Sequence, residues 1–181
     1  MIGRVNRALV QPVAGSARVV PIAGLSAVRE QHRDGRLVYC SGSFDLTHAG
    51  HVLFLEDCRR LGELLVVGVG CDVAIRRLKG PGRPVLNEHL RLKMIASLRA
   101  VDYCFLDPEA SERPLEALAS ILGALRPDAY AVNADAYDIE GRRAVADRVG
   151  VPLIVLQRSC PPEFEAISTT GIIGRLETPR G

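Results

Sequence analysis

The chain holds 181 residues but only four histidines, and two of them, His48 and His51, fall three apart inside GSFDLTHAGH, Gly42 to His51. At that spacing both imidazoles can face one side of a helix. A helix start presents unpaired backbone N–H groups and the positive end of the dipole, which together favour an anion. Two neutral-to-cationic donors placed there suit phosphates, and above all the charge that develops during phosphoryl transfer. Gly42 permits a sharp exit from the preceding strand, and Gly50 permits close approach of a ligand to the backbone. A pair of side chains that merely cap the helix is the plain alternative. A zinc pair is another, although no cysteine or carboxylate cluster adjoins the histidines to complete a tetrahedron.

Cations follow. Arg76, Arg77, Lys79 and Arg83 surround the loop KGPGRP, whose Gly80 and Gly82 allow it to fold over an anion; Arg76 and Arg77 also read as a solvated helix end. Arg91 and Arg99 are eight apart and project from nearly the same side of one predicted helix, beside the inward Leu90 and Leu98. Long arginines in that position either snorkel to water or reach a ligand. Near the carboxyl end Ser168, Thr169 and Thr170 precede Ile172 and Ile173. Hydroxyls there can cap a helix and grip phosphates, two compatible roles.

Strands alternating with helices must position these groups. Leu37 to Ser41 reads as a short strand and Ala49 to Leu61 as an amphipathic helix with Phe54, Leu55, Cys58 and Leu61 on one face and Gly62 as its stop. LLVVGVG, Leu64 to Gly70, is apolar throughout, as a strand covered on both faces should be. Asn87 caps a helix expected to turn Leu90, Met94, Ile95 and Leu98 inward, before a third strand over Val101 to Asp107. The alternation continues with a helix over 114–125, a strand over Ala129 to Asn133, a helix over 139–149, a strand over Pro152 to Leu156 and a last helix from Ser168. The expected fold is α/β, a doubly wound, Rossmann-like parallel sheet of five strands. Ligands of such sheets sit at the carboxyl edge, where the chain order reverses.

Composition narrows the partners. A net charge of +2 and 4% aromatic residues without tryptophan argue against nucleic acid. No apolar run nears the ~18 residues of a membrane span, so no membrane partner is expected. The five scattered cysteines, Cys40, Cys58, Cys71, Cys104 and Cys160, read as buried thiols of a reducing cytoplasm. Residues 1–19 are expected to form an extension and 20–181 the domain. No acidic residue precedes Glu30, while Arg4, Arg7, Arg18 and Arg29 do; a transit peptide shares that bias, but an extension lying over the domain or over a partner subunit fits Pro12 and Pro21 better.

GSFDLTHAGH resembles the GxFDxxHxGH signature of the cytidylyltransferase-like nucleotidyltransferases. RRLKGPGRPVLNEHLRLKMIASLRAVDY is similar to that family's second block, and ISTTGII, Ile167 to Ile173, resembles its STT motif. Within the family the spacing and RLKG…RP look most like the adenylyltransferase domain that activates heptose 1-phosphate. The resemblance implies attack of a substrate phosphate on the α-phosphorus of a nucleoside triphosphate, with Mg2+ arriving on the triphosphate, pyrophosphate leaving, and a possible homodimer. It also implies His48, His51 and Lys79 at the reacting phosphates. Ser43, Phe44, Gly50, Arg91, Arg99, Ser168, Thr169 and Thr170 would border the nucleotide, and Asp45, Asn133 and Asp135 the acceptor. Two departures bear on substrate. PPEFEAISTT lacks the arginine that glycerol phosphate cytidylyltransferases carry shortly before STT, which weakens a CTP assignment. AVNADAYD keeps Asp135 but lacks the lysine and two glycines of the heptose-type Lys-Gly-Gly-Asp segment, leaving Asn133 and Tyr137 as hydrogen-bonding groups. Asp135 could bind a substrate hydroxyl, orient Mg2+ or cap a turn. A cytidylyltransferase acting on an alcohol phosphate and a non-catalytic nucleotide-binding regulator are the competing readings.

Overall fold

The structure is a computed structural model that describes residues 17–107, 113–158 and 160–177. Among the described residues six strands form one wholly parallel sheet: β1 (Arg18–Val19), β2 (Leu37–Gly42), β3 (Leu64–Gly70), β4 (Tyr103–Asp107), β5 (Ala129–Asn133) and β6 (Leu153–Leu156), in the spatial order β1-β4-β3-β2-β5-β6. The chain steps outward from β2 through β3 to β4, then returns to place β5 on the other side of β2. Its order therefore reverses between β2 and β5, which opens a crevice at their carboxyl ends.

Strand alternation sends successive β2 side chains to opposite faces. Leu37 and Tyr39 pack with Phe105 and Tyr130 beneath α1 (Leu25–Gln31), α5 (Pro114–Leu125) and α6 (Ile139–Arg148). Val38 and Cys40 pack with Val67, Val69 and Ala131 beneath α2 (Ala49–Arg60) and α4 (Glu88–Ala96), which contribute Phe54, Leu55, Cys58 and Ile95. Helices α3 (Asp72–Lys79) and α7 (Thr169–Glu177) lie at the carboxyl edge, following β3 and closing the described chain. Among the described residues no helix is long and apolar enough to cross a membrane.

Four expectations need correction. The sheet has a sixth strand, because Arg18 and Val19, assigned to the extension, pair with Tyr103 and Cys104 at the edge of β4; two residues are too short to leave a strand pattern in sequence. In α4 the inward face carries Arg91, Ile95 and Ala96, while Leu90 and Met94 are 51% and 38% exposed. The reason is internal bonding of Arg91, described below, which rotates the apolar pair outward. Arg99 falls beyond α4 in an exposed turn ahead of β4. Of the cysteines, Cys40, Cys58 and Cys104 are buried, but Cys71 is partly exposed and Cys160 exposed, all with free thiols. Of the extension expected over residues 1–19, residues 1–16 lie outside the described residues.

Close backbone approach fixes where α2 meets the sheet. A Cβ on Gly62 would stand 2.6 Å from the Arg36 carbonyl and 2.8 Å from Val38 Cγ2, and that same carbonyl accepts from the Glu63 and Leu64 N–H groups. Gly62→Ala is therefore expected to lower stability by about 1–3 kcal/mol, the usual cost of overpacking. Urea unfolding should show an earlier midpoint with an unchanged slope.

Candidate active site

The first turn of α2 is built by its two histidines. His48 is the N-cap, with extended backbone at φ −136° and ψ 173°, and its Nδ1 accepts the Gly50 N–H at 3.1 Å. Reciprocally, the His48 N–H reaches Nδ1 of His51 at 3.4 Å. Both Nδ1 atoms are thus acceptors, so each neutral ring carries its proton on Nε2. The ring centroids are 4.0 Å apart, and the Phe44 ring meets His51 edge-on at 5.5 Å. Gly50 is required for a reason beyond ligand approach: a Cβ there would stand 3.0 Å from His48 Cε1 and 3.3 Å from the Ile167 carbonyl. Burial, then the His48, Lys79 and Arg158 charges, push His51 down to about 3. Burial and the Arg158 charge also lower His48. Both rings are accordingly neutral Nε2–H donors at pH 7, a narrower state than the sequence implied.

The loop before α2 is clamped from below. Asp45, 1% exposed, accepts from Arg83 Nε at 2.7 Å and from the Val85 and Leu86 N–H groups at 3.0 and 3.1 Å. Burial alone would raise its carboxyl, but these bonds outweigh burial and hold it below the usual carboxylate range. Arg91 is fully buried. Its Nε donates to the Leu86 carbonyl at 2.9 Å, one terminal nitrogen to the Ser43 carbonyl, and the other to Asp72 Oδ1 at 2.7 Å. Phe44 and Leu46 sit at φ 47°, a left-handed conformation that costs non-glycine residues of order 1–3 kcal/mol and persists only when the surroundings enforce it. Arg91 and Asp45 supply that enforcement.

These contacts reassign several expected ligands. Asp45 spends both oxygens inside the protein, and Arg91 is fully buried with all three nitrogens engaged, so in this structure both hold the loop. Arg99, in its turn ahead of β4, is at the opposite edge of the sheet from the histidines. Thr169 donates its hydroxyl to the Asp45 carbonyl at 2.7 Å, which ties α7 to the same loop. Ser168 Oγ caps α7 by accepting the Gly171 N–H at 3.1 Å, and Thr170 is exposed. Lys79, the last residue of α3, donates to Ser43 Oγ at 2.8 Å; burial, then the Arg83 charge, lower its ammonium. Asn133 ends β5 with its side-chain oxygen buried and lacking a hydrogen-bond partner. Asp135, just beyond, is paired with Arg158. Arg158 was missed in sequence, since it stands alone ten residues before Ser168. Its one signal is its place, two residues past the carboxyl end of β6.

The three sequence blocks thus converge on one edge of the sheet. The family model described as cytidylyltransferase-like matches residues 39–175. The chain belongs to this family. It is 42% identical over 150 residues to the bifunctional protein HldE of Syntrophotalea carbinolica, covering 81% of this chain and 28% of that protein. Identity to HldE of Magnetococcus marinus is 39% over 151 residues, with 80% and 28% covered. The chain therefore spans little more than a quarter of the length of these relatives. Among solved structures, the lipopolysaccharide core biosynthesis protein of Thermoplasma volcanium superposes with a TM-score of 0.57 at 25% identity, covering 69% of this chain and 97% of that one. Pantoate-beta-alanine ligase of Francisella tularensis gives 0.61 at 12% identity, covering 81% and 69%, a likeness of fold alone.

Two outcomes follow from this geometry. Arg91→Ala would strand Asp72 and two carbonyls around a buried gap, and should destabilise the protein by about 3–5 kcal/mol in chemical unfolding. For His51 the folded value of about 3 lies below the unfolded value of 6.5, so the unfolded chain takes the proton first. Stability is full above the unfolded value and falls as pH drops through the interval between the two. His51→Gln should lessen that loss between pH 7 and pH 4.5, read as the shift of the urea midpoint.

Proposed function

We propose that the chain is a nucleotidyltransferase that transfers a nucleoside monophosphate, AMP from ATP, to a sugar 1-phosphate such as heptose 1-phosphate. The observation that carries this reading is the pair of Nε2–H imidazoles on one helix start, with Lys79 and Arg158 as nearby cations. An acceptor phosphate oxygen attacks the α-phosphorus, the bond from that phosphorus to the oxygen bridging to the β-phosphate breaks, and pyrophosphate leaves with the electron pair. No protein nucleophile is needed, so catalysis consists of positioning and charge stabilisation.

His48 and His51 donate to oxygens of the α-phosphate as charge shifts onto them, and donors that are already neutral and fixed need no reorganisation during the step. Lys79 neutralises the phosphates. Ser168 and Thr170 offer hydroxyls at the start of α7, where the dipole favours the β- and γ-phosphates. Asn133, at the end of β5, borders the acceptor side. Mg2+ enters as part of the substrate: with Asp45 saturated and Asp135 ion-paired, its oxygen ligands come chiefly from the triphosphate and water. The relatives named bifunctional protein HldE, together with the likeness of RLKG…RP to heptose 1-phosphate adenylyltransferase domains, support adenylyl over cytidylyl transfer.

The test is pyrophosphate release across a matrix of nucleoside triphosphates and sugar or alcohol phosphates. Turnover with ATP and a sugar 1-phosphate is expected. His51→Ala should depress it by about a hundredfold or more, as for loss of one transition-state donor, in a variant whose unfolding curve stays cooperative. Binding of triphosphate without pyrophosphate release under any pairing would favour a regulator instead.

A further inference from the structure

Arg158 and Asp135 form a contact between two segments that both leave the carboxyl edge of the sheet, one after β6 and one after β5. The second terminal nitrogen of Arg158 lies 3.4 Å from the Ile167 carbonyl, the residue before the serine and threonine cluster. That same carbonyl is 3.3 Å from where a Cβ on Gly50 would stand, so the guanidinium lies next to the turn that holds His48 and His51. Arg158 and Gly50 also line one groove with Ala49, Leu53 and Ile167. The exit of β5, Asn133 to Asp135, contributes no cation of its own. Arg158 brings a positive charge to this end of the crevice, and the Lys79 charge is also felt at Asp135.

We infer that Asp135 is a positioning residue that holds Arg158 by one terminal nitrogen, so that its remaining N–H groups meet a phosphate of the bound triphosphate beside His48 and His51. The inference rests on the nucleotidyl-transfer reading and gives Asp135 a different task from contact with acceptor or metal. A guanidinium has five donors in a rigid fork, and Asp135 and Ile167 leave several of them for an anion. The Arg158 side chain is 43% exposed, and an arginine that open to water samples many rotamers. A carboxylate that fixes one edge removes part of the ordering needed when the phosphate arrives.

The sign of the Asp135 effect separates this role from simple proximity. A carboxylate that stood near a phosphate site without positioning anything would repel the anion, and its removal would tighten binding. A positioning carboxylate does the reverse. The probe is inorganic pyrophosphate without Mg2+, in EDTA, titrated calorimetrically into the full chain, which makes the result independent of base, acceptor and turnover. Arg158→Ala is expected to weaken binding at least tenfold. Asp135→Ala should weaken it about threefold to tenfold, with Asp135→Asn in between because the amide oxygen still accepts from the guanidinium. In the Arg158→Ala background the Asp135→Ala change should no longer weaken binding. Tighter or unchanged binding in Asp135→Ala, equal weakening in both backgrounds, or no pyrophosphate binding by the wild type would each overturn the inference. Absence of turnover alongside the expected coupling would instead sink the proposed reaction and leave this pairing standing.

Discussion

A single buried guanidinium holds the site together. Arg91 is sealed from water, and its three nitrogens reach a carbonyl before α4, a carbonyl of the loop after β2, and the carboxylate that begins α3. Such a charge is tolerable only when every donor is satisfied, because an uncompensated one costs several kcal/mol. The three segments are thereby obliged to keep one mutual arrangement. Asp45 adds a second anchor of opposite sign, drawing Arg83, Val85 and Leu86 against the same loop. Between them the two charges force Phe44 and Leu46 into the left-handed backbone that the loop adopts.

From that loop the rest of the chemistry is inherited. The chain leaves Asp45 already turned toward the start of α2, where each histidine caps the other through Nδ1. Capping is usually weighed as stability, about 1 kcal/mol per cap. Here it also chooses a tautomer, since a neutral ring that accepts at Nδ1 carries its proton on Nε2. Reading the motif as a structural cap or as a phosphate site thus offers no real choice. The same contacts that cap the helix set the protonation pattern that the proposed phosphate role requires.

Sequence carried the architecture well and the individual side chains less well, for reasons that differ by residue. Apolar runs such as Leu64–Gly70, between turn signals, fit strands covered on both faces, so the alternation was legible, while the strand order and its reversal beside β2 came only from the structure. The spacing of His48 and His51 sufficed to place them together on α2. Arg91 and Asp45 misled because residue type suggests charge seeking solvent or ligand, and only long-range partners, 48 residues away for Arg91 and Ser43 and 40 for Asp45 and Val85, reveal charge turned inward. Leu90 and Met94 misled for the same cause, since the face of α4 is set by the buried arginine and not by the larger apolar side chains. Arg158 had no local pattern at all. It becomes visible when β6 is seen to end beside the crevice.

The division of the site follows from strand order. Groups fixed by β2, α2 and the loop after α3 are held by buried charge and reciprocal caps, and the histidines among them are the groups proposed to meet the reacting phosphates. Groups beyond β5 and β6 are held by exposed contacts, the Asp135 and Arg158 pair foremost, with 62% and 43% of their side chains open to water. Exposed pairs contribute at most about 1 kcal/mol, so this half can change partners at little cost in stability, while the other half cannot. In this chain the rigid half retains the histidines, and the departures from the heptose-type pattern fall in the half where substitution is cheap.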